Sequence, residues 1–520
     1  MANRLPMIYV GGNDGMLHGF SAEDGSEKLA YVPRGVYEKL PILTTADYDV
    51  NHRYYVDGSP LVGDVQYNGQ WRTVLIGTLA GGGKGYFALN VTNPGAKNGK
   101  SITSSEPTFN IGNANQLVLF DHTDGSDPDL GHIYGDPLTD EGNPQQPVQL
   151  VRTNNDKWAY ITGNGVNSAN GRPVLYIQYL SDNNYAVKTI VAASTGAEAS
   201  SNGLFTPRPL DVNGDGKVDV VYAGDMRGNL WKFDLSSAND SQWGVATFNG
   251  AAVPLFTALD SSGRRQPITS APLIKPNTSV GGLMVAFGTG RVITDDDRTS
   301  TASQSFYAVL DKTRYKPNGN VVEVDTGVAN PPVAGRSDLK QRAYDTSSKA
   351  GAGQLSGTTF WNLSATKTDP VQYQGSDRGW VLELPTSGER VVQPPQFYDG
   401  SKIIEFKSEV PASGSTSGPA DEESCGSSPT EAKGWRNLIN IETGMAPTAN
   451  VMDVNGDGKF NQLDMVNNMV ASRSTAAPVE MKIAGQNVHK RISSDGTTMS
   501  TQNLRKIPDV MLRPNWRQLQ

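Results

Sequence analysis

The chain has 520 residues, a net charge of −8 and a pI near 5.3, which argues against a nucleic-acid partner because such partners require a basic face. Its 56 glycines, 31 prolines and short apolar runs between turn residues favour an all-β fold, and no stretch is long and apolar enough to span a membrane. The single cysteine, Cys425, excludes an intrachain disulfide framework.

The first four residues lack a hydrophobic signal region, and a strand-like run at Tyr9-Val10 follows almost at once. We therefore expect a fragment of a longer exported protein. Residues Ile8 to Phe20 then form a hairpin pattern, in which Asn13-Asp14-Gly15 is the turn between two apolar runs.

A repeated unit follows this hairpin. A Pro-Leu pair stands near the start of successive strands, at Pro60-Leu61, Pro137-Leu138, Pro209-Leu210 and Pro272-Leu273. After each pair comes an apolar strand that ends in glycine, and then a strand of alternating large apolar residues. The repeat spacing of roughly 60 to 80 residues is longer than a minimal four-stranded blade requires. The pattern predicts an all-β, modified β-propeller of about seven blades over residues 1–445, with long insertions.

The insertions are polar and rich in turn residues. We place them at Lys97 to Asp129, Lys312 to Ser356 and Pro411 to Gly434. Residues 446–520 are predicted to form a calcium loop, a short helix and a C-terminal extension that can rejoin the propeller.

The first candidate metal site is the stretch from Asp211 to Asp219. Gly214 and Gly216 permit the positive φ of a tight coil, and hard oxygen donors at alternating positions select calcium. The predicted ligands are Asp211, Asn213, Asp215, Lys217 through its carbonyl, and Asp219. Asp219 must complete the calcium coordination shell, because Tyr222 stands at position 12, where an EF-hand has glutamate. The charged side chain of Lys217 is expected to point to solvent.

A second loop repeats this opening near the C-terminus. Its predicted ligands are Asp453, Asn455, Asp457, Lys459 through its carbonyl, Asn461 and Asp464. The following stretch, Met465 to Ala471, is predicted to be a short helix, as in half an EF-hand or one dockerin repeat.

An Asx-rich hairpin turn is the alternative interpretation of either loop, since Asn-Gly and Asp-Gly are strong turn signals. The recurrence of four alternating oxygen side chains favours calcium. Because free calcium is abundant outside cells, the loops also favour an exported protein.

Catalytic motifs are not evident. The glycine-rich run from Leu79 to Gly85 lacks the first glycine and the Ser/Thr of a phosphate loop, and the five histidines have no metalloprotease spacing. The sequence therefore predicts a non-enzymatic protein.

Four segments together resemble the C-terminal domain of the PilY/PilC family of type IV pilus-associated proteins. They are Tyr9 to Phe20, Asp129 to Pro137, Asp211 to Asp225 and Val285 to Arg291, and the ending Asn515 to Leu519 is also similar. The resemblance implies a modified propeller whose Asp211 loop binds the calcium needed for pilus extension and retraction. It also implies pilins, minor pilins and other pilus assembly proteins as partners, attachment to host or abiotic surfaces, and a location at the cell envelope or surface.

Two other classes remain open at this point. A quinoprotein dehydrogenase shares the propeller, but Tyr31 replaces the docking tryptophan in the one clear repeat. A calcium-dependent extracellular binding module unrelated to pili is the other.

Overall fold

The computed structural model describes residues 3–48, 52–98, 100, 102, 104–139, 146–346, 355–364, 370–412, 432–477, 479–485, 488–494 and 499–507. Cys425 and the ending Asn515 to Leu519 lie outside these residues, as does most of the predicted insertion from Pro411 to Gly434.

Six mainly antiparallel sheets follow one another along the chain, and we number them blades 1 to 6. Blade 1 contains Met7–Gly11, Leu17–Ser21 and Glu27–Tyr31, and blade 2 contains Leu61–Tyr67, Gln70–Thr78, Tyr86–Asn90 and Val118–Asp121. Blade 3 contains Leu150–Thr153, Trp158–Gly163, Val174–Tyr179 and Val187–Val191, with Lys217–Val218 added in parallel at its first strand.

Blade 4 contains Arg208–Leu210, Val220–Gly224 and Asn229–Asp234, beside which lie Gly244–Val245 and Phe256–Thr257. Blade 5 contains Leu273–Pro276, Leu283–Gly288, Ser305–Asp311, Gly379–Glu383 and the parallel strand Lys340–Arg342. Blade 6 contains Gln396–Phe397, Ile403–Val410, Lys433–Asn440, Arg473–Ala476 and Phe360–Trp361. A further three-stranded sheet, the terminal sheet, contains Met481–Ile483, Val488–Ser494 and Met499–Arg505.

The remaining elements are short. Three two-stranded hairpins are Thr247–Phe248 with Ala251–Ala252, Tyr315–Asn318 with Val321–Val324, and Met465–Val466 with Met469–Val470. The described α-helices are Ala114–Leu117 and Asp295–Thr299, and the 3₁₀ helices are Arg34–Thr44, Ala80–Gly82, Ile111–Asn113, Ala197–Ala199, Asp240–Gln242, Arg336–Asp338 and Gln462–Asp464. None of the helices in the described part of the chain has the length and apolarity needed to cross a membrane. The predicted all-β class is confirmed.

Two of the predicted insertions contain more structure than expected. The stretch from Lys97 to Asp129 supplies the fourth strand of blade 2, and the stretch from Lys312 to Ser356 supplies a hairpin and a strand of blade 5. Arg473–Ala476 pairs with Lys433–Asn440, so the chain returns to blade 6 after the second predicted calcium loop.

Apolar clusters hold successive blades together. Leu175 and Trp231 belong to one buried cluster between blades 3 and 4, and Phe306 and Phe406 belong to another between blades 5 and 6. Similar clusters join blades 1 and 2, 2 and 3, and 4 and 5. Because burying one such side chain contributes about 1.5–3 kcal/mol, these interfaces provide most of the driving force for folding.

Close packing explains the glycine that recurs at the end of the second strand of a blade. A Cβ on Gly224 would lie 2.2 Å from Cγ2 of Ile268, and one on Gly288 would lie 2.3 Å from Cβ of Val391. Ile268 and Val391 belong to the segments that lead into the next blade. Only glycine lets these lead-in segments approach the strand so closely.

The segments just before the Pro-Leu pairs line a cavity of about 250 Å³. Its wall includes one residue or more from the lead-in of each of blades 2 to 6: Gly58, Gly135, Thr206, Ser270 and Pro394. Segments next to the repeated pairs therefore meet around one cavity.

Candidate calcium sites

The first loop connects the first and second strands of blade 4, and Asp211 organises its coil. One carboxylate oxygen of Asp211 accepts the Gly214 N–H at 2.6 Å and the other accepts the Gly216 N–H at 2.7 Å. Both glycines have positive φ, 79° and 85°, as the tight coil requires. One carboxylate thus accepts hydrogen bonds from two backbone N–H groups of the coil.

The next side chains continue this pattern. Asn213 Oδ1 accepts the Asp215 N–H at 3.0 Å, and Asp215 Oδ1 accepts the Lys217 N–H at 2.9 Å. Asp219 Oδ2 then accepts the Val212 N–H at 2.8 Å, which closes the loop at its start. Asp219 is thus the carboxylate that closes the hydrogen-bonded coil, while its role as a calcium ligand stays a prediction.

Asp219 is fully buried between blades 3 and 4. Its Oδ1 accepts a hydrogen bond of 3.0 Å from the side chain of Asn154, which also donates to the carbonyl oxygens of Val218 and Leu235. Burial is the main reason that the pKa of the Asp219 carboxyl is raised to about 6; the charges of Asp211 and Asp215 also raise it, and the hydrogen bonds from Asn154 and Val212 oppose the shift. Burial also raises the pKa of Asp211. The loop thus holds several carboxylates whose mutual repulsion a bound cation would relieve.

Lys217 differs from the prediction. Its ammonium does not point freely to solvent but forms an ion pair of 2.7 Å with Asp156, which follows the first strand of blade 3. The backbone of Lys217–Val218 pairs with Arg152 and Thr153 of the same blade. The first loop therefore spans two blades.

The second loop has the same backbone coil. Asp453 accepts the N–H groups of Gly456 and Gly458 at 2.8 and 2.9 Å. Asn455 accepts the Asp457 N–H at 3.1 Å, and Asp457 accepts the Lys459 N–H at 2.8 Å. Position by position, these bonds match those of the first loop.

Asp464 closes the second loop. It is fully buried, and its Oδ1 accepts the Val454 N–H at 2.9 Å while its Oδ2 accepts the Asn461 N–H at 2.7 Å. Its bond to Val454 is the equivalent of the bond from Asp219 to Val212. The same contact is made from position 12 of one loop and position 9 of the other.

The helix predicted from Met465 to Ala471 is wrong. Asn461 instead caps the short 3₁₀ helix Gln462–Asp464 by accepting the Leu463 N–H at 2.8 Å. The chain then forms the hairpin Met465–Val466 and Met469–Val470, whose turn residues Asn467 and Asn468 have φ of 50° and 61°. Asparagine tolerates this left-handed region, which two-residue hairpin turns require. The loop therefore does not form half an EF-hand.

A residue from the terminal sheet completes the second loop. The side chain of Asn503 donates to Asp453 Oδ2 at 3.0 Å, and the Asp453 N–H donates to the Asn503 carbonyl at 3.2 Å. Neither Asn503 nor Asn154 was identified from the sequence, because each lies far along the chain from its loop and no local motif marks it.

The donor chemistry of both loops fits calcium, since every predicted side-chain ligand is an oxygen. In the structure these oxygens accept backbone N–H bonds. Within the described ranges, no group of three or more His, Cys, Asp or Glu side chains has an arrangement that could hold a metal ion. Calcium binding therefore stays a prediction for both loops.

Comparison with known proteins gives the family. Residues 1–330 match the family model described as the PilY1 beta-propeller domain. The chain belongs to this family. It is 35% identical over 407 residues to the type IV pilus biogenesis factor PilY1 of Pseudomonas aeruginosa, and 34% identical over 418 residues to a PilY1 homolog of Xylella fastidiosa. These alignments cover 74% and 78% of this PilY1-family chain, but only 31% and 24% of those relatives.

A solved structure agrees with this assignment. The crystal structure of the Pseudomonas aeruginosa PilY1 C-terminal domain superposes with a TM-score of 0.70 at 27% sequence identity. The match covers 97% of this chain and 93% of that one. The resemblance to a PilY-type C-terminal propeller is thereby confirmed.

Proposed function

We propose that this chain is a non-enzymatic, calcium-binding propeller domain of a type IV pilus biogenesis protein. In this role it regulates pilus extension and retraction, which drive twitching motility, and contributes to surface attachment. It acts after export, at the bacterial cell envelope or on the pilus, with pilins, minor pilins and other assembly proteins as partners.

The observation that carries this proposal is the pair of loops with matching hydrogen bonds on a PilY1-family propeller. Asp211 and Asp453 each hold two glycine N–H groups, and Asp219 and Asp464 each close the coil from a buried position. Two separate parts of the chain thus present hard oxygen donors of the same type at positions 1, 3, 5 and 7 of the loop. This recurrence supports binding of the same type of cation at each loop, rather than two unrelated turns.

Family membership favours a pilus role over a quinoprotein dehydrogenase. The relatives with the highest similarity reported above are named as pilus biogenesis factors, and the match to the family model includes all of blades 1 to 4. The non-enzymatic assignment predicts that purified protein acquires no quinone absorbance when it is mixed with pyrroloquinoline quinone.

Calcium binding is tested by isothermal titration calorimetry on the full chain. Loops with three carboxylates and neutral asparagines are expected to bind with Kd on the order of 10⁻⁶ to 10⁻⁴ M. Magnesium should bind more weakly, because it gives up its water reluctantly and requires a tighter octahedron. A nanomolar Kd for calcium, or equal affinity for magnesium, would contradict the proposal.

Function in the cell is tested in the bacterium that carries the intact gene. Asp219→Ala and Asp464→Ala are introduced separately and together, and twitching zones and surface pili are compared with those of the wild type. We expect Asp219→Ala to impair twitching while the protein is still exported. Normal twitching by a strain whose protein has lost calcium at both loops would refute the regulatory role.

A further inference from the structure

His18, in the second strand of blade 1, contacts a carboxylate with each of its two ring nitrogens. Its Nδ1 lies 2.6 Å from Oε1 of Glu27, in the third strand, and its Nε2 lies 2.8 Å from Oδ2 of Asp14, in the turn before the second strand. An ionised carboxylate only accepts hydrogen bonds, so both ring nitrogens must carry a hydrogen for both contacts to be hydrogen bonds. The arrangement therefore requires the positively charged form of His18.

The other neighbours of the His18 ring are uncharged. Phe20 stacks on the ring, with 5.7 Å between the ring centroids and 14° between the planes. In the sheet, His18 lies opposite Val10 on one side and Ala30 on the other. The two carboxylates are thus the titratable groups that face His18 from the strands and the turn packed against it.

These carboxylates favour the charged ring. The hydrogen bond to Glu27 is the main reason that the pKa of His18 lies above its ordinary value of 6.5; Asp14 also raises the pKa, and partial burial of the ring opposes the shift. A group that binds its proton more tightly in the fold than in the unfolded chain stabilises the fold below its ordinary pKa, and this stabilisation is lost as pH rises through the pKa in the fold. The two contacts are therefore strongest in weakly acidic solution.

Loss of the proton leaves one ring nitrogen with a lone pair that faces a carboxylate oxygen. Two acceptors at such a short distance repel each other, so one of the two contacts must lengthen. Glu27 lies in a strand whose backbone is paired with the second strand of the blade, and its contact with His18 is the shorter one. Asp14 lies in the turn, so the turn is the part that moves.

The turn of blade 1 supports the segment that leads into blade 2. Asn13 Oδ1 accepts the Tyr55 N–H at 3.3 Å, and Asn13 Nδ2 lies 3.3 Å from His52 Nε2. The Gly12 carbonyl accepts the Val56 N–H at 3.3 Å. These bonds are at the long end of the normal range, so a small movement of the turn would break them.

We propose that His18 is a pH-dependent clasp: its protonated ring ties the turn at Asp14 to the third strand of blade 1 at Glu27, and loss of the proton releases the turn together with residues 52–56. The next residue, Asp57, lines the cavity of about 250 Å³ described above. The clasp therefore acts on the wall of that cavity. It uses neither of the two predicted calcium loops and goes beyond the function proposed above.

Nuclear magnetic resonance of the histidine ring protons in the full chain, from about pH 5.5 to about pH 9, tests the first step. The variant His18→Gln identifies the His18 signal by its absence. We expect His18 to titrate above its ordinary pKa and His132 below, since burial lowers the pKa of His132. The His132 signal is thus an internal reference of opposite sign.

Variants of the two carboxylates test the cause of the shift. Glu27→Gln and Asp14→Asn should each lower the pKa of His18 by about half a unit, because the pairs are partly exposed, and Glu27→Gln should lower it more. The matched control is Glu23→Gln, which removes a carboxylate that follows the second strand and is paired with Lys97 instead. It should change the pKa of His18 by less than about 0.1 unit.

Hydrogen-exchange mass spectrometry tests the release of the turn. At about pH 6, residues 12–16 and 52–56 should exchange about threefold more slowly in wild type than in His18→Gln, and at about pH 9 the difference should disappear. Comparing the two proteins at one pH removes the intrinsic pH dependence of exchange. The control His489→Gln, whose histidine contacts Asp399 near the terminal sheet, should leave both segments unchanged.

A His18 pKa at or below its ordinary value, or no response of that pKa to either carboxylate variant, would overturn the proposal. A raised pKa with equal exchange in wild type and His18→Gln near pH 6 would assign His18 to a surface ion pair alone and would also overturn it. Thermal unfolding of each variant checks that the fold is retained. The measurements involve neither calcium nor pili, so their failure is distinguishable from failure of the proposed function.

Discussion

The Asp211 and Asp453 loops have the same coil but connect different parts of the molecule. In both, one aspartate holds two glycine N–H groups, and a buried aspartate returns to the second residue of the loop. The closing residue is eight positions after Asp211 in the first loop and eleven after Asp453 in the second. The coil is thus set by local sequence, whereas the closing contact is set by how the chain leaves the loop.

The two loops contact different parts of the molecule, and so we expect them to have different structural roles. The first contacts Asn154 and Asp156 of blade 3 and leads into blade 4. The second contacts Asn503 of the terminal sheet. We therefore expect the first loop to affect packing between blades and the second to affect attachment of the terminal sheet, and four variants test this division.

Asp464→Ala should have the largest effect. It leaves the N–H groups of Val454 and Asn461 without their acceptor. A buried N–H group that loses its acceptor costs about 1–3 kcal/mol, so we expect the free energy of unfolding to fall by about 3 kcal/mol in total. Hydrogen-exchange mass spectrometry should show faster exchange over 453–470 and 499–505. Asp457→Ala, which removes an exposed acceptor, serves as the control. Faster exchange throughout blades 1 to 4 would show that the loop supports the whole propeller.

Asp219→Asn should change stability with opposite signs in the absence and presence of calcium. Since burial raises the pKa of Asp219 to about 6, ionising it in the calcium-free fold costs about 3 kcal/mol relative to the unfolded chain, whose aspartates titrate near 4. This cost is absent below about pH 4 and develops as pH rises through about 6. Calcium-free wild type should therefore lose stability over that range, while the asparagine variant should not.

With calcium bound, wild type should instead be more stable than Asp219→Asn. At about a hundredfold excess over Kd it adds about 2.7 kcal/mol to a protein that binds it at one site. Urea unfolding of both proteins, with chelator and with calcium, measures the two differences. If wild type is the more stable protein under chelation at neutral pH, the buried carboxylate of Asp219 is not strained in the way we describe.

Asn503→Ala should have a smaller effect, about 1 kcal/mol, because it removes one hydrogen bond to the Asp453 carboxylate and leaves the backbone bond intact. Limited proteolysis should show faster cleavage at the terminal sheet. The matched variant Asn154→Ala should leave that cleavage unchanged, since Asn154 lies at the other loop. Equal cleavage of the two variants would show that the loops are not structurally separate.

Lys217→Gln should have the smallest effect, about 0.3 kcal/mol, because its partner Asp156 has a side chain that is 61% exposed and also pairs with Arg152. The loss should disappear at high salt. Lys459→Gln, at the same position of the second loop, should show no salt-dependent loss, since Lys459 has no ion pair among the described residues. Chemical denaturation at two salt concentrations compares the variants.

The coils could be predicted from sequence because their contacts are local. Asp211 and Asp453 bind N–H groups three and five residues later, and the glycines that allow this are visible in the motif. The Pro-Leu repeat likewise predicted a series of successive sheets. These features depend on spacing, which a sequence displays directly.

The contacts of Asn154, Asn503 and Lys217 could not be predicted, because they depend on which blades lie side by side. The hairpin after Asp464 could have been predicted: Asn467-Asn468 between two Met-Val pairs is a two-residue turn pattern. The helix prediction gave the calcium-loop analogy precedence over that local signal.

The return of the chain to blade 6 has a consequence for folding kinetics. Lys433–Asn440 receives its neighbour Arg473–Ala476 only after the intervening residues, including the Asp453 loop, have folded back. In blade 4, by contrast, Val220–Gly224 and Asn229–Asp234 are separated by a short turn. Non-local strand pairing forms slowly because the ends of a long loop must first meet. We therefore expect blade 6 to complete later than blade 4, at a rate that bound calcium would increase by ordering the loop that brings its final strand into place.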